Sequence, residues 1–147
     1  MTALTGTLTL DLARMIISTG FAKGAEEGMN PLAITVLDAG GHLLAFERQD
    51  GASFGRFEIS HGKAYGAIAL GMGSRAIGAA AEARPHFVNG ANGAFGGALV
   101  PVPGGVLVTD YTGATIGAVG VSGDNSDNDE LCAVAGIEAA GFTHVTG

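Results

Sequence analysis

Residues 32–47 read Leu-Ala-Ile-Thr-Val-Leu-Asp-Ala-Gly-Gly-His-Leu-Leu-Ala-Phe-Glu. Two apolar runs rich in β-branched and aromatic residues, 32–37 and 43–47, flank Asp38-Ala39-Gly40-Gly41-His42. The paired glycines supply the positive φ that a tight reversal needs, so the stretch predicts a β-hairpin. Two antiparallel strands this early argue against a dinucleotide-binding start, which needs a crossover helix between its first strands.

Before the hairpin, Leu10, Ala13, Ile17 and Phe21 recur at helical spacing, and Leu12 and Ile16 widen the stripe. Thr9 is placed to cap this helix and Asp11 to meet its dipole. The helix is predicted to stop near Gly28, ahead of Asn30-Pro31. After the hairpin, residues 48–56 form a polar loop and 57–70 a helix rich in Ala and Gly. Gly71-Met72-Gly73 interrupts it. Ser74 is expected to cap a further helix through Ala83, which Pro85 would end.

Residues 88–103 are glycine-rich and carry no charge, and they predict a long loop with a short strand at 98–100. Gly104-Gly105 then leads into a second hairpin, 106–109 and 114–121, turning at Asp110 to Gly113. The acidic run Ser126 to Glu130 opens a last helix, to about Ala140, with Asp127 and Glu130 at capping-box spacing. Helix, two strands, helices, two or three strands, helix is an α+β order, read as one domain over 1–147.

The composition narrows the functional classes. The chain has 147 residues, 47% hydrophobic and 14% charged, with 26 glycines and a net charge of −7. That is a globular composition with an acidic surface and no basic cluster, so nucleic acid is not an expected partner. Glycine and charge break every apolar run short of a membrane span. The opening residues show neither a basic region nor a cleavage site, so no secretory signal is expected. Cys132 is the only cysteine. It suits a reducing, cytoplasmic setting and excludes a disulfide framework.

Several motifs in order carry a family likeness. They are Leu8-Thr9-Leu10, Val36 to Leu43, Arg48-Gln49-Asp50-Gly51, Gly62-Lys63-Ala64, Pro103-Gly104-Gly105-Val106 and Gly117 to Gly123, followed by the acidic start of the last helix. Together they resemble the GlcG/HbpS-like, haem-degrading family, and also the C-terminal domain of PduO-type adenosyltransferases. The resemblance implies a profilin-like fold: a five-stranded antiparallel sheet with helices on both faces. It implies homodimers that assemble further, up to octamers, and haem or a related tetrapyrrole as ligand. It transfers no universal catalytic motif.

The residues themselves offer several candidate sites. Glu58, His61 and Lys63 form the first group. His61 with Glu58 three residues earlier fits an acid/base pair, or an exposed ion-paired helix face. Lys63 lies about 200° around the helix from His61, so the two do not share one face of a regular helix. Lys63 is in the resemblance and is read as ligand-binding, against a structural role bonding loop carbonyls or making an ion pair across the dimer. His86, beside Arg84 and Phe87, could receive a carboxylated ligand. The glycines from Gly90 to Gly105 offer amides for an oxyanion, with Arg75, Arg84 or Lys63 supplying charge, or the loop is a subunit-contact arm.

Haem would need an axial side chain, and His42, His61, His86 and Cys132 are available; covalent attachment through Cys-x-x-Cys-His is excluded. Asp124, Ser126 and Asn128 alternate as in a calcium loop, but Asp129 and Ala135 occupy its glycine and glutamate positions, so no metal site is expected. Three functions remain open: a small-ligand or haem-binding protein, an isomerase- or hydrolase-type enzyme acting on a small organic acid, and an oligomeric accessory protein without chemistry.

Overall fold

The computed structural model describes residues 7–147. The elements, in order, are α1 (Leu10–Glu26), β1 (Ala33–Asp38), β2 (Leu43–Arg48), α2 (Arg56–Leu70), α3 (Ser74–Ala83), α4 (Pro85–Ala94), β3 (Gly105–Thr109), β4 (Thr115–Ser122), α5 (Ser126–Ala139) and β5 (Thr143–Val145). The five strands form one antiparallel sheet in the order β2-β1-β4-β3-β5. This is the α+β architecture expected.

Strand alternation sorts the two faces. Ile34 and Val36 of β1, Val106 and Val108 of β3, and Val119 and Val121 of β4 join Ile16 and Ile17 of α1 and Cys132 and Ile137 of α5 in the main core. The opposite set, Leu37, Leu107 and Ala118, packs on Ala64 and Ala67 of α2. Small residues on both sides bring α2 very close to the sheet. A Cβ at Gly120 would collide with the Ser60 carbonyl oxygen. The Thr35 and Ser60 hydroxyls, both buried, satisfy each other at 2.7 Å.

Thr9 caps α1 as predicted, its hydroxyl accepting from Leu12 N at 3.2 Å. Four local expectations are corrected. Pro85 begins α4 as well as following α3: a proline lacks the N–H that a helix's first turn leaves unused, so it fits that position. Arg84, forced out of the helical region before the proline, separates the two helices at φ −141° and ψ 69°. Residues 88–94 of the loop predicted over 88–103 are therefore helical, and Val88, Ala91 and Phe95 pack with Ile77 and Leu99 at helical spacing.

No strand forms at 98–100. Leu99 N donates instead to Asn92 Oδ1 at 3.0 Å, and this segment crosses α2 at Gly62 and Gly66. Ser74 is the first residue of α3 and not its cap. Its hydroxyl donates to Val102 O at 2.6 Å and accepts from Gly105 N at 2.7 Å, tying that crossing segment to β3. At α5 the cap is Asn125, which accepts from Asn128 N at 2.8 Å, and Asp127 and Glu130 bind Arg75 instead of closing a capping box. Among the described residues no helix is long and apolar enough to cross a membrane.

Candidate functional site

The helix α2 carries two unlike faces. Phe57, His61 and Tyr65 stand four residues apart and form one stripe. The His61 ring lies 5.6 Å from Phe57 and 5.8 Å from Tyr65, centroid to centroid, nearly parallel to the latter. Phe46 of β2 meets Phe57 edge-on at 4.8 Å, and Phe95, just beyond α4, meets Tyr65 at 5.9 Å. The result is a continuous half-buried band of five rings with one imidazole at its centre. Burial lowers the His61 pKa below the ordinary 6.5, favouring the neutral ring. Among the described residues His61 forms no hydrogen bond or ion pair, and exposed Glu58 makes none with it, so the ring nitrogens stay available.

Lys63 points the other way, as the helical period requires. It is 2% exposed, donating to Val121 O at 2.8 Å and to Asp129 Oδ2 at 3.0 Å. Asp129, 1% exposed, also accepts from Asp124 N at 2.9 Å. Burial is the dominant influence on both groups: it pulls the Lys63 ammonium down and the Asp129 carboxyl up, and their mutual attraction offsets only part of this. Gly104 and Gly105 complete this cluster. Gly104 adopts φ +124°, and a Cβ there would fall 2.8 Å from Lys63 Nζ. Gly105 N–H is already given to Ser74, so it is no free oxyanion donor.

The other sequence candidates lie apart. Arg75 is held by Asp127 and Glu130, joining α3 to α5, and hydrogen bonds to these carboxylates raise its pKa. Arg84 covers the Phe87 ring at 4.8 Å, and it and His86 are exposed at the start of α4. Lys63, Gly104 and Gly105 are thus brought together, whereas His61, Arg75, and Arg84 with His86 occupy three separate places. The structure adds Phe46, Tyr65 and Phe95 around His61; the spacing of Phe57, His61 and Tyr65 was the available signal.

The remaining haem-ligand candidates differ in availability. Cys132 is buried with its sulfur 3.4 Å from Met29 Sδ, and its thiol is pushed up to about 11, mainly by burial. His42 is exposed beside the first hairpin turn, and His144 contacts Glu138 at 3.1 Å. Asp124 accepts from Asn128 Nδ2 and Asn30 N, bonds that lower its pKa. Among the described residues no group of three His, Cys, Asp or Glu side chains converges as a metal site would require.

Known proteins share this fold. Residues 8–138 match the family described as haem degrading protein HbpS-like. An uncharacterized 15.0 kDa protein from the dhaT-dhaS intergenic region of Citrobacter freundii is 33% identical over 137 residues, 90% of this chain and 91% of that one. The Klebsiella pneumoniae protein ORFY superposes with a TM-score of 0.81 at 28% identity, covering 90% of each chain. A double mutant of Streptomyces reticuli HbpS gives 0.79 at 25% identity, over 92% of this chain and 88% of that one. PduOC, solved as a haem complex, shares the fold with a TM-score of 0.82 at 20% identity, over 92% and 96%. With most of its length matched by the family model and a relative above 30% identity over nine-tenths of the chain, this protein belongs to the HbpS-like haem-degrading family.

Proposed function

We propose that the protein binds a tetrapyrrole of the haem class on the His61 face of α2. The observation that carries this reading is one imidazole, free of protein hydrogen bonds and with its charged form disfavoured by burial, set within a band of aromatic rings. An axial imidazole must be unprotonated to donate to iron, and a porphyrin's flat apolar surface suits stacking rings. The residues therefore fit the group in donor type and surroundings. His61 would hold the iron, with Phe57 and Tyr65 against the macrocycle. When bound, haem would supply a redox-active metal with a ligand position set by the protein. The family's description as haem-degrading supports the ligand class.

Self-association belongs to the same reading. Leu43 on the outer strand β2 is 53% exposed and Phe54 in the following loop 84%, apolar surface that a partner copy would cover. The dimer and its larger assemblies, the cytoplasmic setting and one domain over the whole chain are parts of this proposal. Light scattering at micromolar concentration should give a mass above one chain.

Haem titration tests the ligand. The wild type should develop a saturable Soret shift, His61→Ala should lose it, and His86→Ala should keep it. No shift in the wild type, or an unchanged spectrum in His61→Ala, overturns the proposal.

A further inference from the structure

We propose that the cavity beside Arg56 is a second binding site, separate from the His61 face, for a small organic carboxylate. The cavity measures about 320 Å3, and Asn30, Pro31, Ser53, Arg56 and Gly123 contribute to its wall. Asn30 and Pro31 are shared with a groove of about 600 Å3 bordered by Phe21, Met29, Glu47, Arg48 and Asp50. The smaller space is of a size that small ligands occupy.

Charge decides what it would hold. Arg56 donates from Nη1 to Ser122 Oγ at 2.9 Å. Among the described residues it has no other hydrogen-bond acceptor and no ion-pair partner. A guanidinium carries five N–H donors, so most of its capacity is open. The protein is acidic overall, with a net charge of −7, yet this half-buried cation goes without a carboxylate.

No residue lining the cavity is acidic, and the carboxylate that follows it along the chain does not fill the role. Asp124 follows Gly123, but its Oδ1 accepts from Asn30 N at 3.1 Å and its Oδ2 from Asn128 Nδ2 at 2.7 Å. A ligand carboxylate can instead meet the guanidinium with two parallel bonds. The Ser53 hydroxyl and Asn30 amide can serve further oxygens, while Pro31 and Ala52 face a short carbon skeleton. Arg56 also repels the buried Lys63 ammonium. An anion beside Arg56 offsets that repulsion, so occupancy stabilises the fold.

The test is thermal unfolding and calorimetric titration with acetate, succinate and inorganic phosphate at matched ionic strength. At least one of the two acids should raise the wild-type melting temperature saturably, by about 2–4 °C, and more than phosphate does. Arg56→Gln should abolish the response. Ser53→Asp, which places a competing carboxylate in the cavity wall, should abolish it too and decides the matter if Arg56→Gln does not fold. His61→Ala should respond as the wild type does, whatever happens to haem binding. No saturable response to either acid, an equal response to phosphate, persistence in Ser53→Asp, or loss in His61→Ala overturns the proposal.

Discussion

Lys63 on α2 and Asp129 on α5 meet at 3.0 Å, both closed off from solvent, and so join helices that lie on opposite faces of the sheet. Removing one partner leaves the other charge buried and alone, at a cost of about 3–5 kcal/mol. That is a large part of the total stability of an ordinary domain. Lys63→Ala should therefore lose much of its urea stability. Lys63→Met combined with Asp129→Leu should recover most of it, because neither charge is then stranded. A Lys63→Ala protein of wild-type stability but lower haem affinity would return Lys63 to a ligand-binding role.

The contact between Gly120 and Ser60 sets how near α2 can lie to the sheet. Gly120→Ala must push the helix outward, and overpacking of this kind costs about 1–3 kcal/mol. The urea midpoint should fall with an unchanged slope. An unchanged midpoint would mean that α2 sits farther from β4.

Gly90 and Gly93 in α4 are the opposite case. A Cβ at either meets nothing within 4 Å. Glycine inside a helix is less favourable than alanine by about 0.5–1 kcal/mol. Gly90→Ala with Gly93→Ala should raise the melting temperature and slow amide exchange across 85–94. Destabilisation by the pair would contradict a helix at this position.

These glycines also show where sequence reading stopped. The first hairpin was legible because its alternating runs and Gly40-Gly41 turn act locally. The second was legible for similar reasons, its turn held by Asp110, whose carboxylate accepts from Thr112 and Ala114. α4 was not, because its glycines weaken the helical signal and Pro85 fits both the end of one helix and the start of the next. The partner of Lys63 lies 66 residues away, and no local pattern announces a contact at that separation. His61 was singled out with Glu58, three residues before it, whereas its neighbours in the fold are Phe57 and Tyr65, four away on either side. The Arg56 cavity needs the loop at 51–53, Asn30 and Gly123 brought together, which only the sheet does.

Burial holds the His61 pKa below the free imidazole value of 6.5. Iron requires the neutral ring, so protonation opposes binding only below that value. Haem occupancy, followed by Soret amplitude, should be level from pH 8 to 7 and reach half-loss below pH 6.5. Half-loss above 6.5 would assign the titration to another group.

The most direct measurement is rescue of His61→Ala by free imidazole. The variant should retain the wild-type near-ultraviolet circular dichroism and lose the Soret shift, and excess imidazole should restore that shift in the variant to the wild-type position. A folded His61→Ala protein that binds haem with the wild-type spectrum in the absence of imidazole would contradict the assignment of His61 as the iron ligand.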